Sequence, residues 1–144
     1  MQVSACSHLY KVLDPETRGK VIAKCIKVLK PHLNKFDAIA VCGYSMALIG
    51  PSVADAIGKP IIIVRKSNRN TASQFPVEGV VCNRYIIIDD LICSGTTINR
   101  VIKKIKEEHN TKAKLVGIYL YTIEQSSYYT NRQIKETFGA ELYK

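Results

Sequence analysis

The chain has 144 residues, 47% of them hydrophobic, and its 21 Lys and Arg outweigh 12 Asp and Glu for a formal charge of +9. That length holds one ordinary core and not two, and the apolar content excludes a disordered chain. No apolar run is long enough to cross a bilayer, and Met1–Cys6 lacks the charged start and long apolar core of a secretory leader, so a cytoplasmic protein without a membrane partner is expected.

In chain order, Asp14-Pro15-Glu16-Thr17 opens a helix, with an acid at the N-cap, proline at the first position and a second acid in the first turn. Val21, Ile22, Cys25, Val28 and Leu29 continue it at helical spacing until Pro31. Ala38–Cys42 is the first core strand. Gly43-Tyr44-Ser45 turns into a helix over 46–57, which Gly50-Pro51 kinks or delays and Gly58 caps. Pro60–Val64 is a second buried strand ending in Arg65-Lys66. Residues 67–78 are polar and aperiodic, as in a mobile loop. Val80-Val81-Cys82 is predicted as a short extra strand, Tyr85–Asp89 as a buried one, 96–109 as a helix and Leu115–Tyr121 as a further strand. Strand and helix alternate throughout, which implies α/β architecture: a single domain over 1–144, built on an open, mainly parallel twisted sheet with helices on both faces.

Five cysteines, Cys6, Cys25, Cys42, Cys82 and Cys93, are odd in number and form no Cys-x-x-Cys pair, so reduced thiols are expected rather than a disulfide frame or zinc site. The lysines are scattered along helical stretches (Lys20, Lys24, Lys27, Lys30; Lys103, Lys104, Lys106) as a solvated face. Zinc-finger spacing and RNA-recognition aromatics are missing, which disfavours a nucleic-acid partner. A basic surface also attracts small polyanions.

Residues 85–97, Tyr-Ile-Ile-Ile-Asp-Asp-Leu-Ile-Cys-Ser-Gly-Thr-Thr, carry the chemistry. Ile86–Ile88 is β-branched without polar alternation, as in a parallel strand covered on both faces. Asp89 and Asp90 fall at its carboxyl end, where open α/β sheets bind ligands. Cys93-Ser94-Gly95-Thr96-Thr97 then offers hydroxyls and backbone N–H groups at a helix N-terminus, a cradle for phosphate. The bland alternative is an acidic strand end followed by a simple helix cap.

The segment closely resembles the PRPP-binding motif of type I phosphoribosyltransferases. The resemblance covers residues 36–121 and implies that Asp89 and Asp90 hold the ribose hydroxyls of phosphoribosyl pyrophosphate (PRPP), while Cys93, Ser94, Gly95, Thr96 and Thr97 wrap its 5′-phosphate. Gly43, Tyr44 and Ser45 lie where the family keeps its pyrophosphate loop, although the Arg or Lys of many members is missing there. Arg65-Lys66-Ser67-Asn68-Arg69 resembles the Arg-Lys-x-x-Lys signature of the orotate and adenine branches, with Arg69 in place of the last Lys. That implies pyrophosphate contacts from Arg65 and Lys66 and a catalytic cation, Arg69, on a loop shared across a homodimer. The orotate branch's histidine two residues later is Thr71 here. His8, His32 and His109 are expected at the surface.

Where hypoxanthine-guanine enzymes carry an aspartate, this chain has Cys93, which disfavours that branch. Cys93 itself is expected to be a small buried residue in a tight loop rather than a reactive thiol. Base recognition in the family comes from a hood on the termini, here the short segments 1–13 and 122–144. Tyr121, Tyr128, Tyr129 and Phe138 are candidates to stack on a base, but most of them are expected as core. The resemblance implies Mg²⁺-dependent transfer of the phosphoribosyl group to a nucleobase with release of pyrophosphate, catalysed by Arg69, Lys66, Asp89 and Asp90, with Mg²⁺ held mainly by PRPP and water near the two acids. The competing reading is a non-catalytic PRPP-sensing regulator of the same fold with an RNA or DNA partner.

Overall fold

A computed structural model describes residues 4–6, 9–66, 73–122 and 129–144. Ser67–Thr71, with Arg69, lies outside the described residues, as do His8 and Tyr128. Among the described residues the chain forms α1 (Tyr10–Leu13), α2 (Pro15–Leu29), β1 (Ala38–Val41), α3 (Tyr44–Ala47), α4 (Gly50–Ile57), β2 (Ile61–Val64), β3 (Val77–Gly79), β4 (Arg84–Asp89), α5 (Thr96–Glu108), β5 (Lys114–Leu120), α6 (Asn131–Phe138) and β6 (Glu141–Tyr143).

The opening of α2 follows its sequence signal: Asp14 accepts the Thr17 N–H at 2.9 Å, with Pro15 at the first position. A single 3-10 turn at Lys30–His32, containing Pro31, ends it. The expected helix over 46–57 is two helices instead. Gly43, at φ 85°, launches α3, and Pro51 restarts the chain as α4. Gly50 lets α4 approach the sheet, since a Cβ there would lie 2.7 Å from Val41 Cγ1.

Six strands form one sheet in the order β3-β2-β1-β4-β5-β6. Every pairing is parallel except β2 with β3. From β1 the chain crosses to β2 on one side, and from β4 to β5 on the other. Right-handed crossovers therefore put α3 and α4 on one face and α5 on the opposite face. This reversal beside β1 and β4 is a topological switch point, where the carboxyl ends of the strands part to leave a crevice. The central strands earn their place by burial: Ile39, Ile86, Ile87 and Ile88 are fully enclosed, each contributing about 1.5–3 kcal/mol of apolar transfer.

Two expectations are corrected. The extra strand is Val77–Gly79, not Val80–Cys82. Its pairing runs Val64↔Val77 to Ile62↔Gly79 and ends where Gly79, at φ 126°, closes on the backbone of Ile61. Val80 and Val81 then lie exposed. His32 and His109 are half-buried rather than surface residues, the His32 ring stacked on Tyr143 at 4.2 Å between centroids. The termini also divide. Leu9 reaches the crevice, whereas β6 extends the sheet beside β5. No helix among the described residues is long and apolar enough to cross a membrane.

Candidate functional site

The crevice holds a cavity of about 630 Å³. The end of β1 supplies Cys42, α3 supplies Tyr44 and Ser45, the end of β2 supplies Lys66, and the end of β4 with its following loop supplies Asp89 through Ile98. Residues that are distant in sequence meet because parallel strands end together on one side of the sheet.

Asp89 and Asp90 are the two polar or charged residues in the buried class among the described residues, at 5% and 8% exposure. A buried acid needs partners. Asp89 Oδ1 accepts from Ser45 Oγ at 3.0 Å and from the Asp90 N–H at 2.8 Å. Asp90 Oδ1 accepts from the Leu91 N–H at 2.7 Å. The carbonyls of both acids accept from the N–H groups of Tyr121 and Thr122, at 3.0 and 3.1 Å, which locks the end of β4 to that of β5. Burial, reinforced by the neighbouring Asp90, pushes the Asp89 carboxyl up to about 8. An acid held this way is relieved by ligand hydroxyls that donate to its charged form.

The loop after the acids turns at Gly95, with φ 77°. Ser94 and Thr96 share a hydrogen bond between hydroxyls at 2.8 Å. Gly95 is the N-cap of α5 and offers no side-chain cap, so that helix end presents backbone donors to an anion. The loop is supported from behind by the C-terminal segment: a Cβ on Gly95 would lie 3.0 Å from Phe138 Cζ and 3.4 Å from Tyr129 Oη. Cys93 corrects an expectation. It is exposed and lines the cavity, because Gly95 and Ile92 take the inward positions and leave the thiol on the open side.

The Gly43 turn explains the placement of Lys66. A Cβ on residue 43 would stand 2.8 Å from Lys66 Cε and 3.0 Å from Nζ, so the lysine stem lies across the bare backbone of the glycine. Tyr44, beside it at the mouth, is 85% exposed. Lys104 Nζ donates to the Arg65 carbonyl at 2.6 Å and ties α5 to the exit of β2. Burial pushes the Cys42 thiol up, with Lys66, Arg100 and Lys104 pulling it down and Asp89 pushing the same way as burial.

Arg65 is not brought into the cavity. Its guanidinium pairs with Glu78 of β3, so it braces the β2–β3 hairpin. Gly43, Tyr44, Ser45, Lys66, Asp89, Asp90 and the 93–97 loop do converge. Leu9 and Cys42 join them without having been singled out for the site, and Tyr121 meets them from behind Ser45. Tyr121 Oη donates to the Ser45 carbonyl at 3.2 Å. Cys42 was legible as the residue before the Gly43 turn, whereas nothing in the sequence points to Leu9. The assembled groups can hold a vicinal diol on two acids, one anion on the loop and a second anion near Lys66.

Comparison with known proteins agrees with this geometry. The chain is 20% identical over 140 residues to the orotate phosphoribosyltransferase of Cutibacterium acnes, covering 96% of this chain and 62% of that protein. It is 23% identical over 123 residues to the enzyme of the same name from Coxiella burnetii, covering 84% and 59%. It thus spans about six-tenths of the length of these relatives. Among solved structures, orotate phosphoribosyltransferase from Francisella tularensis superimposes with a TM-score of 0.68 at 15% identity, over 91% of this chain and 66% of that one. Adenine phosphoribosyltransferase from Thermoanaerobacter pseudethanolicus does so with a TM-score of 0.58 at 23% identity, over 76% and 70%. The fold is that of the type I phosphoribosyltransferases. A family model described as PRTase-CE matches residues 44–143, well over half of the chain, and the protein belongs to that family.

Proposed function

We propose that this protein binds PRPP and transfers its 5-phosphoribosyl group to a nucleobase of the orotate or adenine type, releasing pyrophosphate. The observation that carries this reading is the meeting of the buried pair Asp89–Asp90, the 93–97 loop and Lys66 around one cavity. In it, Asp89 and Asp90 receive the ribose hydroxyls, Cys93 to Thr97 enclose the 5′-phosphate, and Gly43, Tyr44, Ser45 and Lys66 face the pyrophosphate. When the bond to pyrophosphate breaks, the sugar becomes cationic and the leaving group gains negative charge, so Lys66 and Arg69 are most valuable at that moment.

Mg²⁺ fits this donor set as an ion carried by the substrate. Two carboxylates stand together, and among the described residues no group of three or more His, Cys, Asp or Glu could hold a metal by itself. The ion would sit on PRPP oxygens and water near Asp89 and Asp90, supplying charge neutralisation on the pyrophosphate.

The whole chain is read as one domain, working in the cytoplasm as a homodimer with shared sites. Support for the dimer comes from the exposed apolar side chains on and beside the β2–β3 hairpin, Ile63, Phe75, Val80 and Val81, which invite cover. Incubation with labelled PRPP, Mg²⁺ and a panel of bases tests the activity. Pyrophosphate release with one base is expected. PRPP binding without release for any base, together with a shift of an RNA or DNA fragment, would replace the enzyme by a regulator.

A further inference from the structure

Ser45, Asp89 and Tyr121 close a ring of hydrogen bonds at the back of the crevice, with one bond between each pair. The Tyr121 N–H donates to the Asp89 carbonyl at 3.0 Å. Ser45 Oγ donates to Asp89 Oδ1 at 3.0 Å, and Tyr121 Oη donates to the Ser45 carbonyl at 3.2 Å. The three residues belong to α3, to the end of β4 and to the exit of β5, so none of them shifts without stretching a bond to another.

Two members of the ring are held by the sheet and one is not. Asp89 pairs with Leu120 in the β4–β5 ladder, and Tyr121 follows directly. Thr122 adds its N–H and its hydroxyl to the Asp90 carbonyl, so this exit is fixed on both chains. Ser45 rests on α3, a single turn of four residues, too short to be stable by its own hydrogen bonds. Met46 ties one side of that turn to the core, fully buried and with its sulfur accepting the Cys42 N–H at 3.0 Å. On the other side the Ser45 carbonyl falls in the last turn, where a helix supplies no donor of its own, and Tyr121 supplies it. The half-buried Tyr121 ring packs against the core. A phenyl ring would do that equally well, so what the hydroxyl adds is its hold on Ser45.

We propose that Tyr121 is a positioning residue of the crevice: from outside the cavity its hydroxyl holds α3 in place, which keeps Ser45 Oγ on Asp89 and the carboxylate in one orientation toward the ligand. This role rests on the reading of Asp89 as an acid for the ribose of PRPP, and it adds a residue that touches neither the substrate nor the reacting atoms.

Tyr121→Phe removes the hydroxyl and keeps the ring, and two measurements on the whole chain read the result. Amide hydrogen exchange needs no ligand and follows the Asp90 N–H, which shares Asp89 Oδ1 with Ser45. Its exchange is expected to accelerate about three- to tenfold in Tyr121→Phe, and likewise in Ser45→Ala, as for loss of one hydrogen bond. Exchange at Ile118, buried within β5, is expected to stay unchanged, whereas general loosening of the fold would accelerate both. In calorimetric titration with PRPP and Mg²⁺, Tyr121→Phe is expected to weaken binding about three- to tenfold. The Tyr121→Phe/Ser45→Ala protein is expected to bind as Ser45→Ala alone does, because the phenol acts through that serine. Asp90 exchange unchanged in Tyr121→Phe, equal acceleration at Asp90 and Ile118, or losses of affinity that multiply in the double variant would overturn the proposal. Absence of PRPP binding by the wild type would overturn the reading of the crevice, and exchange at Asp90 would then decide the role of Tyr121 by itself.

Discussion

Ser45 and Asp89, 44 residues apart in sequence, are joined by a 3.0 Å hydrogen bond that ties the exit of β1 to the exit of β4. The bond commits the Ser45 hydroxyl to orienting that acid. Ser45→Ala is expected to weaken PRPP binding by about 0.5–1.5 kcal/mol, the usual worth of one such bond. Calorimetric titration with PRPP and Mg²⁺ checks it, with thermal unfolding of the free protein little changed.

The pH dependence follows from Asp89, whose carboxyl is pushed up to about 8 by burial and by Asp90. Below about pH 4 both folded and unfolded states hold the proton, and between there and about pH 8 the folded state alone retains it. The unfolded state then binds fewer protons, so the stability of the free protein falls as pH rises through that window. Asp89→Asn is expected to flatten this slope and to raise the unfolding temperature near pH 8. PRPP, which prefers the carboxylate as a hydrogen-bond acceptor, is expected to bind more tightly as pH climbs toward about 8. Unfolding scans and titrations across pH 5–9 measure both trends.

Gly43 and Gly58 both have positive φ, 85° and 68°, but a Cβ on Gly43 meets Lys66 whereas one on Gly58 meets open space. Alanine at Gly58, a left-handed residue with ψ 36°, is expected to cost about 1–2 kcal/mol of stability from backbone strain; at Gly43, whose ψ of 178° is open essentially to glycine alone, the strain is about 1–3 kcal/mol. Only Gly43→Ala is expected to displace Lys66 and lower PRPP affinity further, which separates strain from site chemistry.

How much of this was legible in the sequence depends on the range of the determining contact. Asp89, Asp90 and the 93–97 loop were legible because strand, acids, turn and helix follow one another within a short stretch. Lys66 was legible by its place after a buried strand. The partner of Arg65 was not, because Glu78 reaches it only once β3 folds back on β2. For the same reason the extra strand was misplaced: apolar Val80 and Val81 have good strand propensity, but pairing with β2 ends at Gly79. Phe138 packs behind Gly95 in a contact between segments far apart in the chain, which the local sequence does not show. Tyr121 was noticed as an aromatic, while its bond to Ser45 required the sheet.

The proposed shared-site dimer makes a further prediction. Asp89→Asn/Asp90→Asn chains and Arg69→Ala chains are each expected to be inactive alone. Mixed under conditions of proven subunit exchange, they are expected to recover part of the activity, since the heterodimer assembles one intact site. No recovery would place Arg69 in its own chain's site.

The central claim, that Asp89 and Asp90 hold the ribose of PRPP, is tested most directly by calorimetric titration of PRPP with Mg²⁺ into the wild-type protein and into Asp89→Asn and Asp90→Asn. The wild type is expected to bind, and each substitution to weaken binding by about 1–3 kcal/mol, as for charged hydrogen bonds, without loss of the folded state. Affinity unchanged in both variants, or no binding by the wild type, would contradict the account.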